Sequence, residues 1–90
     1  MNIAWDHEAW NDFQSILEIN DKKSYKKIFA LIKDIEVNGA DKGIGKPERL
    51  KHGLNNFYSR EINKEDRLVY RIVDENVLQI IQCKTHYQNV

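Results

Sequence analysis

The chain has 90 residues and a mass of 10.7 kDa, the size of one domain, so we predict a single domain over residues 1–90. Its 14 basic and 14 acidic residues give a formal net charge of zero, and its hydrophobic content of 41% excludes a disordered chain. One cysteine cannot form an internal disulfide, and no apolar run approaches the ~20 residues that cross a bilayer, which together favour a cytoplasmic location.

The first half of the chain predicts one short strand and two helices. Met1, Ile3 and Trp5 alternate with other residues at the period of a strand. Asp6 then offers an N-cap for a first helix that ends near Ile19. A second helix begins after Asn20-Asp21, and Gly39 is its expected C-cap. Its apolar stripe has helical spacing and consists of Tyr25, Ile28, Phe29, Ile32 and Ile35.

The second half predicts a loop followed by strands. Residues 39–47 contain three of the four glycines and the only proline, so they form a loop, and a strand beginning near Glu48 must be short or at an edge. Three longer strands are expected at 57–62, 68–73 and 77–84. The order β-α-α-β-β-β-β predicts an α+β domain in which two helices cover one face of a mainly antiparallel sheet.

Arginines are expected on the sheet face that the helices leave uncovered. If Leu68 and Tyr70 meet the helices, Arg67 and Arg71 face away from them. Either Arg60 or Glu61 joins those two arginines, because a register slip of one residue exchanges the faces of Arg60 and Glu61. Residues 42–71 contain eight basic and four acidic residues, so a local positive excess accompanies this face and favours an anionic partner.

Few residues support metal or covalent chemistry. His7, His52 and His86 are widely scattered and no acidic pair lies at ligand spacing beside them, so we predict no metal and no cofactor. Cys83 lies within a strand pattern, where a small buried apolar group is expected rather than a nucleophile.

General acid–base chemistry has better candidates in Glu48 and His86. RNA carries its own nucleophile, the 2′-hydroxyl, so cleavage needs only a base, an acid and cations around the phosphorus. Glutamate, histidine, lysine and arginine are the residue types for that task. The separation of Glu48 and His86 in sequence is silent about their distance in space.

Four segments resemble the YoeB/Txe family of RelE-like toxins of type II toxin–antitoxin systems. They are GKPERLKH at 45–52, FYSR at 57–60, RLVY at 67–70 and CKTHY at 83–87, and the N-terminal EAWND at 8–12 fits the same pattern. The resemblance covers roughly residues 1–87. It implies a ribosome-dependent mRNA endonuclease that attacks through the 2′-hydroxyl without a metal and inhibits translation.

The resemblance also implies roles for individual residues. Glu48 matches the general base, His86 the general acid, Arg67 the arginine on the scissile phosphate and Tyr87 a tyrosine that orients the substrate. The expected substrate-binding positions are Lys51, Arg60, Glu65 and Arg71. The implied partners are mRNA in the ribosomal A site, the ribosome and a cognate YefM/Axe-like antitoxin with an acidic segment. Homodimer formation is left open, and no membrane partner is expected.

Two positions depart from the family pattern. Arg49 replaces a frequent second proline, and Glu61 stands where a relative carries an arginine. An acid at position 61 weakens affinity for phosphate unless Arg60 or Arg71 takes over. Two alternatives therefore accompany the nuclease hypothesis: a RelE/ParE-superfamily toxin that acts by binding, for example on DNA gyrase, and an inactive relative that only binds its antitoxin.

Overall fold

A computed structural model describes residues 1–51, 53 and 56–84 of the chain. The elements follow the predicted order. They are β1 (Asn2–Trp5), α1 (His7–Glu18), α2 (Lys22–Asn38), β2 (Glu48–Arg49), β3 (Tyr58–Glu61), β4 (Arg67–Val73) and β5 (Val77–Gln82).

The strands form one five-stranded sheet in the order β1-β5-β4-β3-β2. Strands β2, β3, β4 and β5 pair antiparallel, whereas β1 pairs parallel with β5, so the sheet is mixed and mainly antiparallel. The two-residue β2 lies at one edge, as expected for a strand that follows Pro47. This arrangement of two helices on a mainly antiparallel sheet confirms the predicted fold class.

The two predicted N-caps behave differently. Asp21 caps α2, because its carboxylate accepts hydrogen bonds from the backbone N–H (3.2 Å) and the hydroxyl (2.8 Å) of Ser24. These bonds hold the pKa of Asp21 below its usual value. Asp6 precedes α1 but makes no side-chain cap, since its carboxylate instead accepts a hydrogen bond from the Gln79 amide on β5 at 2.9 Å. Asp6 therefore ties the start of α1 to the sheet.

The core lies between the helices and one face of the sheet. It contains Ala9, Phe13, Ile16, Ile28, Leu31, Ile32, Ile35, Ile62, Leu68, Tyr70, Leu78, Ile80 and Cys83. The rings of Phe13 and Phe29 meet edge to face at 5.7 Å and join α1 to α2. Cys83 is fully buried, and burial raises its pKa to about 12, so it is the inert core group that was expected.

The described residues contain neither a membrane-spanning helix nor a group of side chains that could bind a metal ion. Over 1–51, 53 and 56–84, neither helix is long and apolar enough to span a membrane. The same residues contain no group of three His, Cys, Asp or Glu side chains that could hold a metal ion.

Candidate active site

The register between β3 and β4 decides which neighbour joins Arg67 on the open face. Arg60 pairs with Leu68, and Glu61 pairs with Arg67. Directly opposite residues in an antiparallel pair share a face, and Leu68 is in the core. Arg60 therefore points toward the helices, and Glu61 lies beside Arg67 on the face away from them.

The guanidinium of Arg60 is completely enclosed by protein. Its side chain has 0% exposure, and Nη1 donates to Asp34 Oδ2 at 2.5 Å and to the Ile44 carbonyl at 3.0 Å. Nη2 donates to the carbonyls of Gly39 (2.8 Å) and Lys42 (2.6 Å). The Arg60 bond holds the pKa of Asp34 below its usual value.

Tyr70 completes this arrangement. Arg60 Nε donates to the Tyr70 hydroxyl at 2.8 Å, and that hydroxyl donates to the Ala40 carbonyl at 2.6 Å. Burial raises the pKa of Tyr70, and the neighbouring Arg60 opposes that rise. Every N–H of the Arg60 guanidinium thus has a protein acceptor. Its expected role in substrate binding is corrected to a structural one, because a buried and saturated guanidinium offers nothing to a ligand.

The open face brings Glu48 and Arg67 together, although 19 positions separate them in the sequence. Glu48 pairs with Ser59 across β2 and β3, and Ser59 pairs with Val69 on β4. Arg67 Nη2 donates to Glu48 Oε1 at 3.4 Å, and Arg67 Nε donates to Ser59 Oγ at 3.0 Å. The Arg67 side chain is 31% exposed and that of Glu48 is 67% exposed, so both can be reached from solvent.

Glu61 contacts cations on two sides. Its Oε2 lies 3.7 Å from Arg67 Nη1, and its Oε1 lies 3.7 Å from Lys46 Nζ. Together with Glu48 and Ser59, these residues form what we call the Arg67 cluster: Lys46, Glu48, Ser59, Glu61 and Arg67. Two cations and two carboxylates make its formal charge zero.

The other expected substrate-binding residues are spread around this cluster. Lys51 is exposed two residues beyond β2, and Glu65 lies in the turn between β3 and β4, where its N–H donates to Asn63 Oδ1 at 2.8 Å. Arg71 shares the Arg67 face of β4, about 13 Å further along the strand at the usual rise.

Arg71 is held by two neighbours on that face. Its guanidinium carbon lies 4.9 Å from the centre of the Phe57 ring, and its Nε donates to Gln79 Oε1 at 2.6 Å. A groove of about 410 Å³ runs past it and is lined by Ala40, Asn56, Tyr58, Arg71, Ile72 and Val73. Arg71 and the Arg67 cluster are therefore separate features of one sheet face.

His86 and Tyr87 lie outside the described residues. The predicted general acid and orienting tyrosine are thus not placed by the structure, and their convergence with Glu48 stays a prediction. The last described residue, Lys84, follows β5, which is the neighbour of β4 in the sheet.

Sequence reasoning missed two contacts of this site. Ser59 was not recognised as an acceptor for Arg67. Its place opposite Glu48 would have indicated this contact, but that place depends on the β2–β3 register. The bridge between Lys46 and Glu61 was also missed. Lys46 has a left-handed backbone conformation (φ 53°), which is uncommon for residues other than glycine. The sequence pattern therefore did not predict the direction of its side chain.

The site offers a carboxylate for proton transfer beside a guanidinium for an anion. Glu48 is solvent-accessible and can accept a proton, and Arg67 can bind a phosphate through two parallel N–H donors. A carboxylate and a guanidinium are the residue types that an acid–base cleavage of RNA would need as base and charge-stabilising cation.

Comparison with solved structures first defines the class by fold. Escherichia coli YafQ superposes with a TM-score of 0.73 over 94% of this chain and 92% of its own, at 16% identity, in its complex with DinJ. At that identity the likeness concerns the fold alone. The fold is that of the RelE-like toxins.

Closer relatives define the family. The model of the YoeB-like toxins of bacterial type II toxin–antitoxin systems matches residues 5–87. Toxin YoeB of Synechocystis sp. is 49% identical over 98% of this chain and 99% of its own, and toxin YoeB of Escherichia coli is 45% identical over 97% and 100%. YoeB in a heterotetrameric YoeB–YefM complex from Staphylococcus aureus has a TM-score of 0.89 at 49% identity, covering 97% of this chain and 98% of its own. The chain belongs to the YoeB-like toxin family.

Proposed function

We propose that this toxin is a ribosome-dependent mRNA endonuclease. The observation that carries the proposal is the contact between Glu48 and Arg67, which joins a solvent-accessible base to a phosphate-binding cation on one sheet face. Two residues that the sequence resemblance singled out independently are thereby neighbours in space.

The proposed reaction uses the RNA itself as nucleophile. Glu48 removes the proton of a ribose 2′-hydroxyl, whose oxygen attacks the adjacent phosphorus. The bond from phosphorus to the 5′-oxygen breaks, and His86 gives that oxygen its proton. Arg67 stabilises the charge that develops on the phosphorane, and Tyr87 orients the substrate. The products are a 5′-hydroxyl and a 2′,3′-cyclic phosphate, or a 3′-phosphate once water has opened that cyclic ester, and the balance of atoms requires no metal or cofactor.

Cations around the site suit an RNA held on the ribosome. Lys51 lies two residues beyond β2 and Arg71 lies further along β4 than Arg67, and we propose that both contact neighbouring phosphates of the message, with Glu65 at the rim. The proposed place of action is the ribosomal A site, hence the cytoplasm.

We further propose a YefM-like antitoxin as the partner of this chain. A YoeB relative from Staphylococcus aureus was solved in complex with YefM, and another structure of that relative is a YoeB dimer, so formation of a homodimer is proposed as well. Residues 42–71 contain eight basic and four acidic residues, and with Arg60 buried the other seven basic residues supply a complementary surface for an acidic antitoxin segment.

The test adds purified protein to translating ribosomes and to naked mRNA, followed by mapping of the cut ends and their chemistry. Wild type is expected to cut ribosome-bound message, leaving a 5′-hydroxyl. Glu48→Gln and His86→Ala are expected to lower the cleavage rate by about 10²–10⁴-fold. Glu36→Gln, on the exposed face of α2, is the matched charge control and should cut like wild type.

Several outcomes would contradict the proposal. Undiminished cleavage by both variants would remove Glu48 and His86 as base and acid. Equal cleavage of naked mRNA would contradict dependence on the ribosome. Absence of any cleavage by folded wild type, with inhibition of gyrase supercoiling or antitoxin binding retained, would favour a toxin that acts by binding or an inactive relative. Adding the YefM-like antitoxin should stop cleavage.

A further inference from the structure

We propose that Glu61 is a positioning residue that competes with an RNA phosphodiester for the Arg67 guanidinium and thereby lowers the affinity of the toxin for free RNA. This inference rests on the proposed function. It starts from the donors of Arg67: Nε is directed at Ser59, Nη2 at Glu48 and Nη1 at Glu61. Both terminal nitrogens that would bind a phosphate therefore already face a carboxylate.

Glu61 occupies the place of an anion between two cations. One carboxylate oxygen lies 3.7 Å from Arg67 and the other lies 3.7 Å from Lys46, whose side chain is 81% exposed. Carboxylates and phosphates use the same donors of arginine and lysine. A phosphodiester that contacts Lys46 and Arg67 together must therefore displace the Glu61 carboxylate or share its cations.

The backbone holds Glu61 in this place more firmly than it holds Glu48. Glu61 lies within the sheet, pairs directly with Arg67, and its N–H donates to the Gly45 carbonyl at 2.7 Å. Glu48 belongs to a two-residue edge strand and is the more exposed carboxylate. Glu48 can thus turn toward a ribose, whereas Glu61 stays beside the guanidinium.

Charge arithmetic gives the direction of the effect. The Arg67 cluster has no formal excess of positive charge, and replacing Glu61 with glutamine would give it one. Because these side chains are partly exposed, the gain in affinity should be that of a surface ion pair, a few-fold rather than orders of magnitude. A free RNA strand lacks any contacts that the ribosome supplies, so the effect of Glu61 should be measurable in the binding of RNA alone.

The experiment measures binding of a short single-stranded RNA whose ribose 2′-hydroxyls are all methylated, so that none can attack and the strand cannot be cut. Fluorescence anisotropy gives Kd for wild type and Glu61→Gln between about 50 and 200 mM salt. The slope of log Kd against the logarithm of the salt concentration should be steeper by about 0.7 for Glu61→Gln, as expected for one added phosphate contact. Glu61→Gln is expected to bind about 2- to 5-fold more tightly at the lowest salt. Glu36→Gln, on the helix layer, should match wild type.

An Arg67→Gln background shows whether Glu61 acts through Arg67. The tighter binding caused by Glu61→Gln should disappear there, while thermal unfolding confirms that each variant is folded. Persistence of the gain in that background, an equal gain from Glu36→Gln, or weaker binding by Glu61→Gln would each overturn the inference. Failure of wild type to cut message on ribosomes would instead contradict the proposed nuclease, and the binding cycle would still decide the role of Glu61.

Discussion

Arg60 and Arg67 lie on adjacent strands of one sheet, but Arg60 is buried under the helices and Arg67 is partly exposed on the other face. Arg60 faces the helices with 0% exposure, and each of its five N–H groups has a protein acceptor within 3.0 Å. Arg67 faces away, is 31% exposed, and meets its two carboxylates at 3.4 and 3.7 Å. One residue type thus serves two purposes in a chain of 90 residues.

The difference shows how burial decides what an arginine can do. A buried guanidinium is tolerated only when its charge and all its donors are matched, and once matched it cannot exchange partners. A half-exposed guanidinium with longer contacts can exchange a carboxylate for a phosphate at small cost. Arg60 therefore orders the loop that leads to Glu48, whereas the guanidinium of Arg67 remains accessible from solvent.

The largest expected effect comes from removing the buried charge. Arg60→Met removes the arginine donors of Asp34, Tyr70 and three loop carbonyls, so the free energy of unfolding should fall by about 3–5 kcal/mol. Urea unfolding followed by circular dichroism measures this loss. The matched variant Arg67→Met should change the same quantity by less than about 1 kcal/mol. Equal losses in both variants would break the distinction between the two arginines.

A smaller effect tests the loop that encloses Arg60. Gly43 has φ 118°, and a Cβ there would overlap the Asp34 carboxylate and come within 3.2 Å of Arg60 Nη1. Gly43→Ala should therefore destabilise the fold by about 1–3 kcal/mol more than the backbone strain alone. Gly39→Ala is the control, because Gly39 has φ 94° but meets no atom of the described residues within 4 Å. Thermal unfolding of the two variants separates the steric clash with Asp34 from the backbone strain that both share. Equal decreases in Tm would contradict the clash.

The smallest expected effect is a change in the dependence of stability on pH. The Arg60 hydrogen bond lowers the pKa of Asp34 from its ordinary 3.8 in the folded chain, so its stabilising contribution is complete above that value. The contribution is lost as the pH falls through the lowered pKa. Urea midpoints measured from pH 5 downward, at roughly unit steps, should therefore decline more steeply for wild type than for Asp34→Asn. Parallel declines would show that the pKa of Asp34 is not lowered in the folded chain.

Local patterns in the sequence predicted most of the fold. The stripe from Tyr25 to Ile35, the cap at Asp21 and the Gly39 end determined α2 because each is a property of neighbouring residues. The short strand at Glu48 followed from Pro47 in the same way. Asp6 was the exception. Its position predicted an N-cap, but its carboxylate accepts a hydrogen bond from the side-chain amide of Gln79, which is distant in the sequence.

The candidate site was predicted only in part, because its geometry depends on contacts between distant segments. Glu48 and Arg67 were singled out from sequence segments, and their approach within 3.4 Å required the β2–β3 and β3–β4 registers together. Arg60 was expected to bind substrate, and the same registers turned it inward. His86 and Tyr87 lie beyond the described residues, and their roles stay predictions.

The sequence by itself determined the element order, the helix ends, the helix-facing side of β4 and the family to which the chain belongs. Only the tertiary structure decided that Glu61, and not Arg60, shares the face of Arg67. The physical reason is the two-residue period of a strand, by which a shift of one residue moves each side chain to the opposite face. Helical periodicity is set within one segment, whereas strand register is set by the partner strand.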